Sequence, residues 1–159
     1  FESMGHNLEP SEMGAAFGLV QLKKLIFNLN ERQKNFNIHT KFLKKYKKYF
    51  ILPKQLPGSK SGWLAYPITI KDNTPFTRTE MQIFLEKRNI QTRVVFTGNI
   101  LRQPGFKNLK MKKNKKEYPE ADKVMKNGIL IACHHGLNDK MIDHIHKSID
   151  KFIYTKIEI

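Results

Sequence analysis

The sequence of 159 residues has one cysteine, few acidic residues and no long apolar run. A lone cysteine, Cys133, excludes a disulfide within the chain and a zinc site made of cysteines. Sparse cysteine is typical of the reducing cytoplasm. No segment approaches the ~20 apolar residues that cross a bilayer, and the N-terminus lacks the layout of a signal peptide. We therefore expect a cytoplasmic protein with no membrane insertion.

The shortage of acidic residues sets the electrostatic character of the molecule. Only 14 Asp and Glu stand against 29 Lys and Arg, which gives a formal net charge of +15. Such a charge attracts anions, whether nucleic acid, acidic membrane or phosphorylated metabolite. The 40% of hydrophobic residues and the length are sufficient for one folded domain with a core.

Hydrophobic spacing predicts long helices first and a small sheet afterwards. Apolar residues recur every three or four positions from Ser11, and again from Phe36 to Phe50 as a second helix or a bent continuation, until Pro53. Thr77 and Glu80 have the spacing of a capping box, and Asn138 precedes the last helical pattern. A further helical turn is expected at 120–126. Short runs rich in β-branched and aromatic residues predict three strands, at 63–70, 91–96 and 129–133.

This order predicts an α+β fold. We expect a small, three-stranded, mainly antiparallel sheet with helices on one face, preceded by long helices. The apolar face of the first helices needs something to pack on.

The string "FTGNILRQPGF", residues 96–106, is unusually long and rich in Gly, Asn and Gln for a turn after a strand. Arg93 precedes it, and Arg102 and Gln103 lie within it. A guanidinium fork with side-chain amides suits a phosphate or a polarised sugar oxygen, although surface ion pairing explains the arginines equally well. His135 follows a strand, where ligands are often met, and Asn7 precedes a helix start, which favours a phosphate.

Two other charged features favour structural interpretations. The run at 107–118 has six lysines but no arginine and only one aromatic residue. It therefore lacks the side chains that recognise or stack on nucleic-acid bases, and we interpret it as a solvated loop. His134 and His135, with His144 and His146 on the last helix, suggest a metal site. However, residues two apart on a helix point in different directions, so we expect no metal. Cys133, inside an apolar strand, is interpreted as a core residue.

Three segments together resemble a known family. "GHNLEPSEMGAAFGLVQLKKL", "PFTRTEMQIFLEKRNIQTRVVFTGNILRQPGF" and "ADKVMKNGILIACHHGLNDKMIDHIHKSI" are similar to the C-terminal part of the DegT-type pyridoxal-phosphate sugar aminotransferases and dehydrases. The string F-x-G-N-x-x-R-Q-P after FTRxE resembles most the CDP-4-keto-6-deoxyglucose 3-dehydrase branch of lipopolysaccharide O-antigen synthesis. Plain aminotransferases of the family usually carry a different, histidine-bearing segment there.

The resemblance implies the C-terminal small domain of a fold-type-I enzyme, in a homodimer, without its N-terminal large domain. Residues 1–3 are then expected to be a tag remnant, 4–50 the connecting helices and 51–159 the small domain. The implied cofactor is pyridoxal or pyridoxamine 5'-phosphate, and Asn7 would contact its phosphate in the neighbouring subunit. His6 stands where the family usually has tyrosine.

The resemblance also implies the chemistry. A nucleotide-linked 4-keto sugar would face the set Arg93, Asn99, Arg102, Gln103 and His135. The catalytic base, a histidine in dehydrases and a lysine in aminotransferases, would lie upstream, so this fragment would hold no catalytic residue and be inactive alone. We expect removal of the 3-hydroxyl of a CDP-4-keto-6-deoxyhexose. The alternatives are a nucleotide-4-keto-sugar aminotransferase and a basic nucleic-acid-binding module, the latter less favoured.

Overall fold

A computed structural model describes residues 10–96, 98–106 and 118–157. Within these ranges the chain forms four α-helices and four β-strands, joined in part by short 3-10 turns. Their order and bounds are α1 Glu12–Leu43, β1 Phe50–Ile51, β2 Ala65–Ile70, α2 Arg78–Glu86, β3 Arg93–Val94, α3 Pro119–Asn127, β4 Gly128–Ala132 and α4 Asp139–Ile157.

The strands form one antiparallel sheet in the order β1-β2-β4-β3. The α+β class with a small antiparallel sheet is thus confirmed, whereas the expected number of three strands was wrong. The missed strand is β1, whose Phe50 pairs with Ile70. Two residues are too few to show alternation, and Phe50 happens to continue the helical spacing of the preceding segment.

The core lies on one face of the sheet. Tyr66 pairs with Ile131 and Ile68 with Ile129, and all four side chains are buried. Residues paired across antiparallel strands share a face, so these side chains form one apolar layer. The same cluster contains buried residues of α2, α4 and the end of α1, including Met81, Leu85, Ile149, Phe152 and Leu43.

Helix α1 is one continuous helix of 32 residues, so the polar stretch from Asn28 to Asn37 does not interrupt it. Its C-terminal part belongs to the core, where Phe36 stacks on Trp63 with ring centroids 4.0 Å apart. Its N-terminal part is different, because large apolar side chains there are exposed, among them Phe17, Leu22, Ile26 and Phe27. The expected single apolar face is therefore not seen, because the exposed apolar side chains lie on several sides of this part of α1, and none of them is buried by the described residues.

Local signals place the ends of two helices. Thr77 and Glu80 make the predicted capping box at α2, and the Asn138 side chain accepts a hydrogen bond from the backbone of Met141 at the start of α4. Strand β3 is shorter than the predicted 91–96. The backbone N–H of Thr92 donates to the Glu86 carboxylate at 2.6 Å, so this amide is not available to the sheet.

Candidate functional site

The segment after β3 is folded onto α3, and Gly98 shows why glycine is needed there. Gly98 has φ +65°, and a Cβ at this position would lie 2.2 Å from the Cβ of Met125. Both the left-handed backbone and the close approach exclude a larger side chain. The loop therefore sits directly against α3.

Asn99 and Arg102 share one carboxylate of α3. The Asn99 amide donates to Asp122 at 2.9 Å, and the guanidinium of Arg102 donates to both Asp122 oxygens, at 3.1 and 2.8 Å. Asn99 is buried, and its Oδ1 also accepts from the backbone of Leu101. Two donors on one carboxylate fix the position of the loop and the plane of the guanidinium.

Met125 completes the attachment. Its sulfur accepts a weak hydrogen bond from Gln103 at 3.8 Å, and its backbone carbonyl accepts from Arg78 at 2.6 Å. The three loop residues assigned to the site, Asn99, Arg102 and Gln103, are thus brought together by contacts with α3.

Sequence reasoning missed Asp122, which organises this loop. The hydrogen bonds from Arg102 and then from Asn99 lower the pKa of its carboxyl, so it carries its charge at neutral pH. The available signal was an acidic residue in the first turn of α3, which the helix dipole alone also explains.

Arg93 lies in a different concavity. It pairs with Leu130, so its side chain is on the face opposite the core. It lines a cleft of about 540 Å³. The remaining lining residues are Leu64, Ala65, Asn89, Ile90, Gln91, Leu130, Ile131, Ala132, His134, Leu137, Met141, His144 and Ile145.

The chemistry of this cleft suits an anion with an apolar body. Among the described residues that line it there is no carboxylate, while Arg93 supplies a guanidinium and Asn89 and Gln91 supply amides. A planar guanidinium binds phosphate and carboxylate groups through paired hydrogen bonds. The apolar part of the lining would hold the uncharged part of such a ligand.

The remaining site candidates are placed as follows. His134, not His135, lines the cleft, and its Nδ1 accepts from the backbone of Gly136 at 3.1 Å. His135 is exposed on the same turn. Asn7 and most of the lysine run, 107–117, lie outside the described residues.

His146 is half-buried and pairs with the buried His39, a contact that the sequence did not reveal. His39 on α1 contacts the Ala132 carbonyl through Nε2 at 3.1 Å, and its Nδ1 lies 3.0 Å from Nε2 of His146 on α4. A carbonyl only accepts, so His39 carries its proton on Nε2 and accepts from His146. Burial lowers the pKa of each imidazole to about 4.

The described residues contain no group of three His, Cys, Asp or Glu side chains able to hold a metal ion. Burial raises the pKa of Cys133 to about 12, so its thiol is a poor nucleophile. In the part of the chain that the structure describes, no helix has the length and apolarity to span a bilayer.

Solved structures with this fold are fold-type-I pyridoxal-phosphate enzymes, and the chain has the architecture of one of their domains. The Helicobacter pylori aminotransferase PseC, of pseudoaminic acid biosynthesis, matches 97% of this chain and 40% of its own, with a TM-score of 0.82 and 26% identity. A GDP-4-keto-6-deoxymannose-3-dehydratase with a trapped PLP-glutamate geminal diamine matches 93% and 38%, with a TM-score of 0.77 and 27% identity.

The chain belongs to the DegT/DnrJ/EryC1/StrS aminotransferase family, whose model matches residues 1–150. It is 30% identical to the lipopolysaccharide biosynthesis protein RfbH of Salmonella typhimurium, over 96% of this chain and 35% of RfbH. It is 32% identical to a dTDP-4-dehydro-2,6-dideoxy-D-glucose 3-dehydratase of Saccharopolyspora spinosa, over 96% and 33%. The chain thus spans about a third of the length of these relatives.

Proposed function

We propose that this chain is the small-domain part of a nucleotide-sugar 3-dehydratase, which removes the 3-hydroxyl of a nucleotide-linked 4-keto-6-deoxyhexose. A place in lipopolysaccharide sugar synthesis, with a CDP-linked substrate, is the specific form of this proposal. The large domain, the catalytic base and the homodimer mate would belong to the whole protein.

The observation that carries the proposal is the loop 98–106 held on α3. Its string F-x-G-N-x-x-R-Q-P is the one that resembles the dehydrase branch, and Gly98, Asn99 and Arg102 each have a defined contact in it. A long loop that is fixed by a buried amide and a shared carboxylate is suited to form a wall of a binding site. Three 3-dehydratases among the relatives support this assignment.

Arg93 and the loop would have separate tasks in that site. Arg93, in a cleft without a carboxylate, would bind an anionic group of the nucleotide. Arg102 is already oriented by Asp122, so its task is to hold the loop in shape and present a positive charge to the sugar nucleotide.

Pyridoxal or pyridoxamine phosphate, when bound, would supply the electron sink for loss of the hydroxyl. Asn7, the one residue assigned to the cofactor phosphate, lies outside the described residues. The contribution of the described chain is therefore binding and orientation of the sugar nucleotide.

A second candidate is a nucleotide-4-keto-sugar aminotransferase. It is favoured by 28% identity to the dTDP-4-amino-4,6-dideoxy-D-glucose transaminase of Escherichia coli and by the match to PseC. The loop argues for the dehydratase, because family aminotransferases usually have a histidine-bearing segment in its place.

The proposal is tested by titrating the whole protein with nucleotide-linked sugar by calorimetry. Arg93→Gln removes a charge-assisted hydrogen bond, so we expect affinity to fall about tenfold or more. The matched control is Arg88→Gln. Arg88 does not line the cleft, and its guanidinium donates to Ser148 of α4 and lies over the ring of Phe84. Equal affinity of the Arg93→Gln variant and the unsubstituted protein would refute the assigned role.

A further inference from the structure

Charge is distributed very unevenly along the chain. From Arg32 to Lys71 there are ten Lys and Arg and no Asp or Glu, between Glu31 and Asp72. These 40 residues therefore carry ten of the fifteen net positive charges of the chain. None of the sites described above uses these lysines.

The fold gathers five of these lysines around one cleft of about 720 Å³. The cleft lies where the end of α1, strand β1 and the end of β2 meet, and the backbone N–H of Lys71 donates to the Tyr49 carbonyl at 2.9 Å. This bond brings Lys71 to the segment that carries the other four. The lining lysines are Lys44, Lys47, Lys48, Lys54 and Lys71, with Thr40, Phe50, Ile51, Leu52 and Pro53.

The lysines have no compensating acid at this site. The described residues that line the cleft include no carboxylate. None of the five lysines is in an ion pair among the described residues, and only the Lys48 ammonium has an aromatic contact, over Tyr49. Lys45 is in contrast paired with Asp150 at 2.8 Å, outside the cleft lining. Uncompensated like charges repel one another, and a multivalent anion relieves that repulsion.

The cleft is carried by a rigid frame. Leu43, Tyr46 and Phe50 are buried in the core on the same short segment, and the Tyr46 hydroxyl donates to Asp150 at 2.5 Å. The backbone that carries the cleft lysines is therefore held in place by the core, which lowers the entropy lost when a ligand binds. Five lysines around one open depression suit a compact anion that several of them contact at once.

We propose that this lysine cleft is a second anion site, which binds a compact polyphosphate group such as inorganic tripolyphosphate or the phosphate chain of a nucleoside triphosphate. It is distinct from the Arg93 cleft and does not depend on the proposed 3-dehydratase activity. Lysine ammonium groups bind phosphates as point charges, so several closely spaced phosphates bind more tightly than one.

The test is a calorimetric titration of the whole protein with inorganic tripolyphosphate and, separately, with orthophosphate at equal ionic strength. We expect tripolyphosphate to bind at least about tenfold more tightly, with affinity falling as salt is raised. The triple variant Lys44→Gln, Lys47→Gln, Lys71→Gln should lose about tenfold or more of that affinity. It should remain folded, since these side chains are exposed and mutually repulsive.

The matched control removes the same charge elsewhere. The control triple variant is Lys23→Gln, Lys24→Gln, Lys140→Gln, which changes exposed residues of α1 and α4. Its affinity for tripolyphosphate should change less than about threefold. Equal losses in the two triple variants would mean a response to net charge alone. That result overturns the proposal.

Two further titrations distinguish other anions. The variant with Lys44, Lys47 and Lys71 replaced should bind vesicles of phosphatidylcholine and phosphatidylglycerol no more weakly than the control triple variant does. The same is expected for a single-stranded oligonucleotide. Cleft-dependent binding of either that exceeds the binding of tripolyphosphate would contradict a compact polyphosphate ligand.

Discussion

At the scale of single residues, Gly98 decides whether the loop can lie on α3. Gly98→Ala forces a Cβ into Met125 at a left-handed φ, and together these effects should cost about 2–4 kcal/mol of the free energy of unfolding. The measurement is chemical denaturation. Gly105→Ala is the matched control, because nothing lies within 4 Å of the added Cβ and its φ is not positive. A Gly98→Ala variant as stable as Gly105→Ala would contradict the described packing.

The His39–His146 pair makes stability depend on pH in a known direction. Burial lowers the pKa of His39 from 6.5 to about 4, so between these values the unfolded state binds more protons than the folded state. The contribution of neutral His39 to the free energy of unfolding is therefore complete above pH 6.5 and is lost as pH falls toward 4. Asp150 and Asp143 oppose the lowering at His146, and Lys45 adds to it.

This pH dependence is measured by thermal unfolding between pH 7.5 and 4.5. His146→Gln should flatten the fall of the melting temperature below pH 6.5, because one half-buried imidazole with a lowered pKa no longer has to be kept neutral. His135→Gln, at an exposed position, should leave the profile unchanged. An unaltered slope in His146→Gln would show that the pair does not govern it.

At the scale of elements, α1 is divided between a docked and an uncovered part. Phe36→Ala removes a core side chain that stacks on Trp63 and should cost about 3–5 kcal/mol of unfolding free energy. Phe17→Ala, on the exposed part of the same helix, should stay within about 0.5 kcal/mol. Denaturation of the two variants checks this, and a large loss in Phe17→Ala would mean that the face is covered.

Elements were predictable from the sequence where a local rule decides them. The Thr77–Glu80 capping box and the Asn138 cap follow from side chains that satisfy nearby amides, and both are present. Strand β1 was missed because its pairing with β2 is a tertiary contact. The length of β3 was overestimated because the Glu86 carboxylate captures the Thr92 amide, which no periodicity reveals.

The arrangement of the candidate site residues was not predictable from the sequence. Residue type singled out Arg93, Arg102 and Gln103, and the family resemblance added Asn99. The partners of the three loop residues, Asp122 and Met125, come from a helix about twenty residues later. The sequence gives no distance between such positions. It also could not show that Arg93 lies in a cleft separate from the cluster on α3.

At the scale of the whole molecule, a loop held on α3 and a cleft whose described lining has no carboxylate lie on a small α+β domain of the DegT/DnrJ/EryC1/StrS family. Large apolar side chains of the N-terminal part of α1 are exposed on the same domain. The chain spans about a third of its relatives' length. We propose that the rest of the whole protein covers these side chains and completes the site.

The most direct test of the central proposal is product analysis by mass spectrometry and NMR. The whole protein would be incubated with pyridoxal phosphate, L-glutamate and a CDP- or GDP-linked 4-keto-6-deoxyhexose. The account predicts a nucleotide sugar that has lost its 3-hydroxyl while C4 bears no amino group. A product that keeps the 3-hydroxyl and carries an amino group at C4 would contradict it and support the aminotransferase instead.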